Sequence, residues 1–261
     1  MDKYYVIGDP IEHSCSPSVF NYLFKKFRVN ADYQKKLIYT KEALNKFINS
    51  IKGGNQIKGI NITSPYKINI LNSVDYIDNK LLNNINCIKF NKNKIYGYNT
   101  DIIGFDMLIK KNNLSLNKAK ILLLGTGATS NTISHLLITK YNASVFTYSR
   151  GDNEILNLNK NKLHSIDNLE DFVIINCSPV RELYTKTKIY YKKIKVNKCK
   201  LFIDLNYNFS KNSSINKSKY INGNTMFIEQ AIESFNIWFD DIYKNEIKFQ
   251  EIERMLYDEE N

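Results

Sequence analysis

One short segment carries side chains that could move a proton to or from a bound molecule. Asn61 and Thr63 alternate at the end of a buried strand predicted over residues 57–62, so both side chains fall on one face. Lys67 follows Pro65 within reach of that face. Open α/β sheets bind ligands at the carboxyl ends of their strands. Lys67 is therefore a candidate for proton transfer, although a lone lysine is more often a solvated surface group.

A second segment that could bind a ligand follows the predicted buried strand over 120–124. A strand that ends in Gly-x-Gly and opens a helix directs backbone N–H groups and the positive end of the helix at a pyrophosphate. An ordinary strand-to-helix turn is the alternative, and the strand before and helix after the turn argue against it. The turn comprises Gly125, Thr126, Gly127, Ala128, Thr129 and Ser130.

The end of the following strand normally selects the coenzyme. An acidic residue there binds the ribose 2′-hydroxyl of NAD, whereas a basic residue accepts the 2′-phosphate of NADP. Here Ser149 and Arg150 follow the strand, and Arg150 is one of only four arginines. The sequence favours NADP, while Asp152 nearby leaves use of NAD open. An exposed surface arginine is the alternative interpretation of Arg150.

Two serines precede the first predicted helix. In an extended loop, Ser14 and Ser16 place both hydroxyls on one side, where they could hold a carboxylate. The same pattern is also typical of a helix cap, with Ser16 at the N-cap and Pro17 in the first turn.

The elements that must position these residues alternate between strand and helix, which indicates an α/β fold. A hairpin over 85–98 and a helix beginning at 99–101 close the first part, and we expect a domain boundary near residue 100. The last stretch, 226–257, is almost entirely helical in pattern. The predicted strands are 4–8, 33–38, 57–62, 120–124, 143–148, 172–176 and 201–204, and the predicted helices include 41–51 and 133–137.

The amino-acid composition gives weaker evidence about function than these motifs do. The net charge of +11 rests on 33 lysines against four arginines, whereas nucleic-acid recognition favours arginine. A basic RNA- or phosphate-binding protein is the alternative from a different class, because residues 186–200 carry seven lysines and no acid. We interpret that run as a solvated face and expect neither a nucleic-acid nor a membrane partner.

The cysteine spacing and the lengths of the apolar runs indicate the compartment in which we expect the protein. The four cysteines have no metal-binding spacing, so we expect reduced thiols and no metal site. No apolar run approaches the roughly 20 residues that span a bilayer. A cytoplasmic monomer or homodimer acting on a small molecule is the expectation.

These segments, taken in order, resemble the shikimate dehydrogenase family over nearly the whole chain, and all four prolines lie within them. The shared positions include 7–11 with 13–17, 59–63 with Pro65 and Lys67, Asn86, 97–101 with Gly104, the turn at Gly125, 176–179, 204–207, and Gly223 with Met226 and Gln230.

The resemblance implies NADP-dependent, reversible reduction of 3-dehydroshikimate to shikimate, in the synthesis of chorismate and the aromatic amino acids. It implies two α/β domains: a substrate domain over 1–100 with a mostly parallel sheet and a Rossmann-like NADP-binding domain over 101–225. The C-terminal helices over 226–261 return to the substrate domain. Lys67 and Asp101 are the implied catalytic pair. The implied substrate contacts are Ser14, Ser16, Asn61, Thr63, Lys67, Asn86, Asp101, Tyr207 and Gln230; the implied coenzyme contacts are 125–130, Ser149, Arg150, Ser178, Leu205, Gly223 and Met226.

The sequence departs from the family pattern in three places. Arg181 and Glu182 stand where a Gly-Met pair is usual, and the stretch between Tyr207 and Gly223 is short. Only Arg150 remains of a basic pair that often surrounds the 2′-phosphate. The first and third departures bear on coenzyme affinity and choice. A quinate/shikimate dehydrogenase that uses NAD or both coenzymes is the alternative within the family.

Overall fold

The structure, a computed structural model, describes residues 1–51, 56–78, 83–148, 155–157, 162–163, 171–178, 199–207 and 220–259. The chain divides into two compact units, residues 1–104 with 228–260 and residues 105–227. Each unit contains one sheet.

The first sheet has six strands in the order β2-β1-β3-β5-β6-β4. Strands β1, β2 and β3 are parallel, β5 and β6 form an antiparallel hairpin on β3, and β4 pairs in parallel with β6. Aliphatic side chains fill the space between the sheet and helix α2, which buries Leu44, Ile48 and Ile51 at helical spacing. The strands are β1 (Asp2–Gly8), β2 (Ala31–Leu37), β3 (Ile57–Ile62), β4 (Tyr76–Ile77), β5 (Cys87–Asn91) and β6 (Lys94–Tyr98); the helices are α1 (Ser16–Lys26), α2 (Lys41–Ile51) and a 3-10 helix (Asn69–Ser73).

Aromatic rings pack between α1, β1 and helix α5 (Asn224–Trp238) on the other side of this sheet. The Trp238 ring lies 4.8 Å from the ring of Tyr4 and 4.9 Å from that of Phe20. Its Nε1 donates a hydrogen bond to the carbonyl of Ile88 at 2.8 Å, which fixes the indole over β5. Helix α6 (Phe249–Glu259) packs on α1, where Lys26 pairs with Glu251. The first unit thus combines residues 1–104 with the helices over 228–259.

The second sheet has seven strands in the order β10-β9-β8-β7-β11-β12-β13. Strands β8, β7, β11, β12 and β13 are parallel, and β9 and β10 extend one edge antiparallel. The chain runs from β7 through helix α4 to β8, then returns to the other side of β7 as β11. The elements are helix α3 (Asp101–Lys111), β7 (Lys120–Leu124), α4 (Ala128–Thr139), β8 (Ser144–Tyr148), β9 (Ile155–Asn157), β10 (Lys162–Leu163), β11 (Phe172–Asn176), β12 (Leu201–Asp204) and β13 (Tyr220–Asn222).

The predicted α/β class with mostly parallel sheets is confirmed, and all seven predicted strands match within two residues at each end. Strand β1 begins at Asp2, two residues before the predicted start. Strands β4, β9, β10 and β13 were not predicted. Each has only two or three residues, which is too short to show an alternation of apolar and polar side chains. The C-terminal stretch forms two helices with turns over 239–248 between them. Among the described residues, no helix combines the length and apolar character needed to cross a membrane.

The approach of Trp238 to β3 leads to a stability prediction at Gly59. A Cβ atom at Gly59 would lie 2.4 Å from Cε2 and Nε1 of Trp238, and the buried indole cannot retreat without losing its hydrogen bond. We expect Gly59→Ala to lower the free energy of unfolding by about 1–3 kcal/mol, measured by urea denaturation. Gly127→Ala is the matched control, because a Cβ there meets no protein atom within 4 Å. Equal stability of the two variants would contradict the packing argument.

Candidate active site

Three chain segments reach the same edge of the first sheet. Strand β3 ends at Ile62 on that edge, β5 begins there because it runs antiparallel to β3, and β6 ends there. Residues just after β3, just before β5 and just after β6 are therefore neighbours despite their separation in sequence. A turn closed by the Tyr66 amide on the Thr63 carbonyl at 3.1 Å, with a cis Ser64-Pro65 peptide bond, brings Lys67 back over this edge.

Lys67 and Asp101 form a buried ion pair at this edge. The Lys67 Nζ atom donates to Oδ2 of Asp101 at 2.6 Å, and the two residues are 8% and 6% exposed. Asp101 is the first residue of α3, where the positive end of the helix dipole favours a carboxylate. The Lys67 carbonyl accepts from the Ile85 amide at 2.9 Å, which holds the backbone of the lysine against the segment before β5.

Asn86 links the ion pair to the start of α3. Its Nδ2 donates to Oδ1 of Asp101 at 2.8 Å and to Oγ1 of Thr100 at 3.0 Å. Its Oδ1 accepts from the Thr100 amide at 2.7 Å. Both oxygens of Asp101 are thus held, one by Lys67 and one by Asn86, so the carboxylate has one orientation.

Asn61 lies beside this group and is also buried. Its Oδ1 accepts from the Tyr33 hydroxyl at 2.8 Å, and its Nδ2 donates to Ser234 Oγ at 3.0 Å and to the Asn86 carbonyl at 3.3 Å. The Thr100 hydroxyl lies 3.4 Å from Oε1 of Gln230. Asn61, Lys67, Asn86, Asp101 and Gln230 are therefore brought together by the fold, and Thr63 follows directly after the strand that contains Asn61.

The local structure at Ser14 and Ser16 differs from the prediction. Helix α1 begins at Ser16, and its N-cap residue, Cys15, makes no side-chain capping hydrogen bond. Cys15 has φ −85° and ψ 3°, so the segment is not extended and the alternation argument was wrong. The Ser14 hydroxyl instead accepts from the Ser16 amide at 3.3 Å. A local turn replaces the extended loop because the helix starts one residue earlier than expected.

The glycine turn of the second unit has the geometry expected of a phosphate loop. Gly125 has φ +109°, a conformation that side chains disfavour. Gly127 precedes α4 as its N-cap, and a Cβ there would meet no protein atom within 4 Å. The space before the helix N-terminus is therefore open for a ligand to approach the backbone, and a 12-residue helix supplies the dipole. Gly125, Thr126, Gly127, Ala128, Thr129 and Ser130 all lie in this turn and first helical turn.

Hydrogen bonds join the carboxyl ends of β11 and β12 beside this turn. Asp204 Oδ1 accepts from Asn176 Nδ2 at 2.9 Å and from Asn206 Nδ2 at 2.7 Å. Burial raises the pKa of the Asp204 carboxyl, and the amide donors only partly oppose this. Ser178 Oγ donates to the carbonyl of Leu124 at 3.3 Å, which ties β11 to the end of β7.

The remaining predicted coenzyme contacts divide between described and undescribed residues. A Cβ at Gly223 would lie 2.1 Å from the carbonyl oxygen of Leu205, so only glycine fits there, and Met226 is buried in α5. Ser149 and Arg150, and the departures at 181–182 and 208–219, lie outside the described residues. Tyr207 belongs to the second unit, where its ring lies 4.2 Å from that of Phe227.

Sequence reasoning missed three residues of this hydrogen-bonded group: Tyr33, Thr100 and Ser234. Thr100 lay inside a recognised segment without a role. Ser234 carried a usable signal, because it is a polar residue on the buried face of α5, four residues after Gln230. Tyr33 carried none, since a tyrosine in a strand is ordinary core.

The sequence of this chain matches a known protein family. Residues 6–88 match the family model of the shikimate dehydrogenase substrate binding domain. A shikimate dehydrogenase (NADP(+)) of Pelagibacter ubique is 32% identical over 245 residues, which cover 89% of this chain and 91% of the relative. The chain belongs to the shikimate dehydrogenase family. One from Staphylococcus haemolyticus is also 32% identical, over 90% of this chain and 92% of that relative.

Solved structures of the shikimate dehydrogenase family share the fold. Shikimate dehydrogenase 1 from Peptoclostridium difficile has 26% sequence identity and a TM-score of 0.79, covering 99% of this chain and 97% of that one. A shikimate dehydrogenase in complex with NADP+ has 25% identity and a TM-score of 0.78, covering 100% of this chain and 96% of that one.

The buried ion pair of this family member predicts a large effect on stability. Lys67→Met leaves the Asp101 carboxylate buried without its cation, which we expect to lower the free energy of unfolding by about 3–5 kcal/mol at neutral pH. Lys67→Met combined with Asp101→Asn should recover most of that loss, as urea denaturation would show. Lys110→Met is the control, because Lys110 also pairs with an aspartate, Asp106, but is 56% exposed; it should cost less than about 1 kcal/mol. Similar losses for the two single lysine variants would contradict the buried-pair description.

Proposed function

We propose that the protein is a shikimate dehydrogenase that catalyses the reversible, NADPH-dependent reduction of 3-dehydroshikimate to shikimate in the synthesis of chorismate and the aromatic amino acids. The observation that carries the proposal is the buried Lys67–Asp101 pair at the sheet edge of a family member. A proton donor beside a fixed carboxylate is what reduction of a ring ketone requires of the protein.

We assign substrate binding to the first unit and coenzyme binding to the second. The polar groups around the ion pair support the first assignment, because Asn61, Asn86 and Gln230 converge there with Thr100. Two further assignments rest on sequence position within the family alone. Ser14, Ser16 and Tyr207 would bind the substrate carboxylate. Thr63, together with the side-chain amides of Asn61, Asn86 and Gln230, would bind the ring hydroxyls.

The proton chemistry belongs to Lys67 and Asp101. Reduction of a carbonyl needs a proton at the oxygen, and an ammonium within hydrogen-bond distance both stabilises negative charge there and supplies the proton. Asp101 would orient the ammonium, since Asn86 holds the other carboxylate oxygen at 2.8 Å. In the oxidative direction the neutral amine of Lys67 would accept the proton from the alcohol.

The coenzyme, when bound, supplies or accepts the hydride. The glycine turn at 125–127 and the first turn of α4 would hold its pyrophosphate, because the backbone there is open and Gly127 has no protein neighbour in front of it. Ser178, Leu205, Gly223 and Met226 complete the assignment, and Ser149 with Arg150 would hold the 2′-phosphate of NADP. We further propose a cytoplasmic enzyme that is a monomer or homodimer.

A quinate/shikimate dehydrogenase is the second candidate. The absence of a second basic residue beside Arg150 favours its use of NAD, since Asn153 and Glu154 follow instead. Initial rates of shikimate and quinate oxidation, each with NADP+ and NAD+, separate the candidates. Shikimate with NADP+ should give the highest kcat/KM. A preference for quinate or for NAD+ would replace the first assignment with the second.

The role of Lys67 predicts separate effects on chemistry and coenzyme binding. We expect Lys67→Ala to reduce kcat by at least about a hundredfold, because the proton donor is lost. Binding of NADPH, followed by its fluorescence, should stay within about twofold of wild type, since the glycine turn is unchanged. Turnover of the variant within a few-fold of wild type would refute the assignment.

The role of Arg150 predicts a difference between the two coenzymes. Arg150→Ala removes the charge that would pair with the 2′-phosphate, so we expect the Kd of NADPH to rise about tenfold. The Kd of NADH should barely change, because NADH lacks that phosphate. Arg28→Ala, a substitution in the first unit, serves as the control for loss of an arginine. An equal loss of affinity for both coenzymes would refute a 2′-phosphate contact.

A further inference from the structure

Two buried hydroxyl groups contact the side-chain amide of Asn61 from separate elements. Tyr33 lies on β2 and Ser234 lies on α5, and their residues are 1% and 0% exposed. Neither can reach a bound substrate at that exposure. Their contacts nevertheless end on Asn61, a residue assigned to substrate binding.

The tyrosine holds the oxygen of the amide. The Tyr33 hydroxyl donates to Oδ1 of Asn61 at 2.8 Å, within the buried core. The phenol ring is held in turn by a stacked contact with the ring of Phe20, with centroids 4.4 Å apart. A phenol so fixed offers its proton in one direction.

The serine holds the nitrogen of the same amide. Ser234 Oγ donates to the Gln230 carbonyl at 2.9 Å, so its lone pairs face Asn61 and Thr100. It accepts from Asn61 Nδ2 at 3.0 Å, and its oxygen lies 3.2 Å from Thr100 Oγ1. The second hydrogen of Asn61 Nδ2 points to the Asn86 carbonyl at 3.3 Å.

We propose that Tyr33 and Ser234 are positioning residues that together fix the amide of Asn61 with its oxygen as the group presented to substrate. Both hydrogens of Nδ2 have protein acceptors, whereas Oδ1 has a second lone pair beyond the one that Tyr33 occupies. Asn61 therefore accepts a hydrogen bond from a substrate hydroxyl and does not donate to a substrate carbonyl. This inference rests on the proposed function, because the hydroxyl is one of the ring hydroxyls of shikimate.

The pair predicts a cooperative effect on substrate affinity. Tyr33→Phe and Ser234→Ala each leave the other hydroxyl and the Asn86 carbonyl in contact with the amide, so each should raise the KM for shikimate only about threefold. The double variant leaves only the longer contact with the Asn86 carbonyl at 3.3 Å, so the amide can turn, and its KM should rise about thirtyfold, well above the product of the single effects. The KM for NADP+ should not change. A purely structural role would lower the melting temperature and the active fraction without changing the KM for shikimate.

Tyr141→Phe is the matched control, because it also removes a tyrosine hydroxyl bond, to Asp106 at 2.7 Å, in the second unit. It should leave the KM for shikimate unchanged. A double variant whose KM is at or below the product of the two single effects overturns the inference. So does a double variant whose crystal structure keeps the Asn61 amide in the wild-type orientation; a turned amide supports the inference. That structural comparison decides the inference even if wild-type protein fails to oxidise shikimate, a failure that would overturn the proposed function alone.

Discussion

Burying the Lys67–Asp101 ion pair is the constraint on which the rest of the first unit depends. Removing two charges from water costs several kcal/mol for each, and only close geometry with further hydrogen bonds repays it. The sheet meets this demand by bringing three segments to one edge, through the antiparallel hairpin of β5 and β6. Asn86, at the start of that hairpin, supplies the additional donor to Asp101. In a purely parallel sheet, the segment before β5 that contains Asn86 would lie at the opposite edge.

In the proposed function the second unit has a different task, which is to bring backbone N–H groups close to an anionic coenzyme. Three glycines of this unit differ in what their positions require. Gly125 adopts φ +109°, Gly223 lies against the carbonyl of Leu205, and Gly127 faces open space. The first two are required by the protein itself. The third is free of any such requirement, and this agrees with a glycine retained for the approach of a phosphate.

The sequence predicted most of the fold because strands and helices of four or more residues carry a readable hydrophobic pattern. It predicted Lys67 from its position after β3, and Asn86 and Asp101 through resemblance, and the structure brings all three together. Its prediction of an extended loop at Ser14 and Ser16 was wrong, since a pattern of alternating serines is equally compatible with a turn and a helix start. The sequence of these few residues does not distinguish an extended loop from a turn, and the backbone angles at Cys15 show that the segment is not extended.

By itself the sequence determined the fold class, the glycine turn and the residue types available for proton transfer, because propensity and period act over a few neighbouring residues. Only the tertiary structure decided which hydrogen bonds those residues make. Asn61 and Ser234 are 173 residues apart and Tyr33 is 28 residues before Asn61, yet all three meet in the core. Hydrogen bonds require distances near 3 Å and fixed directions, and such distances between remote residues exist only once the chain has packed.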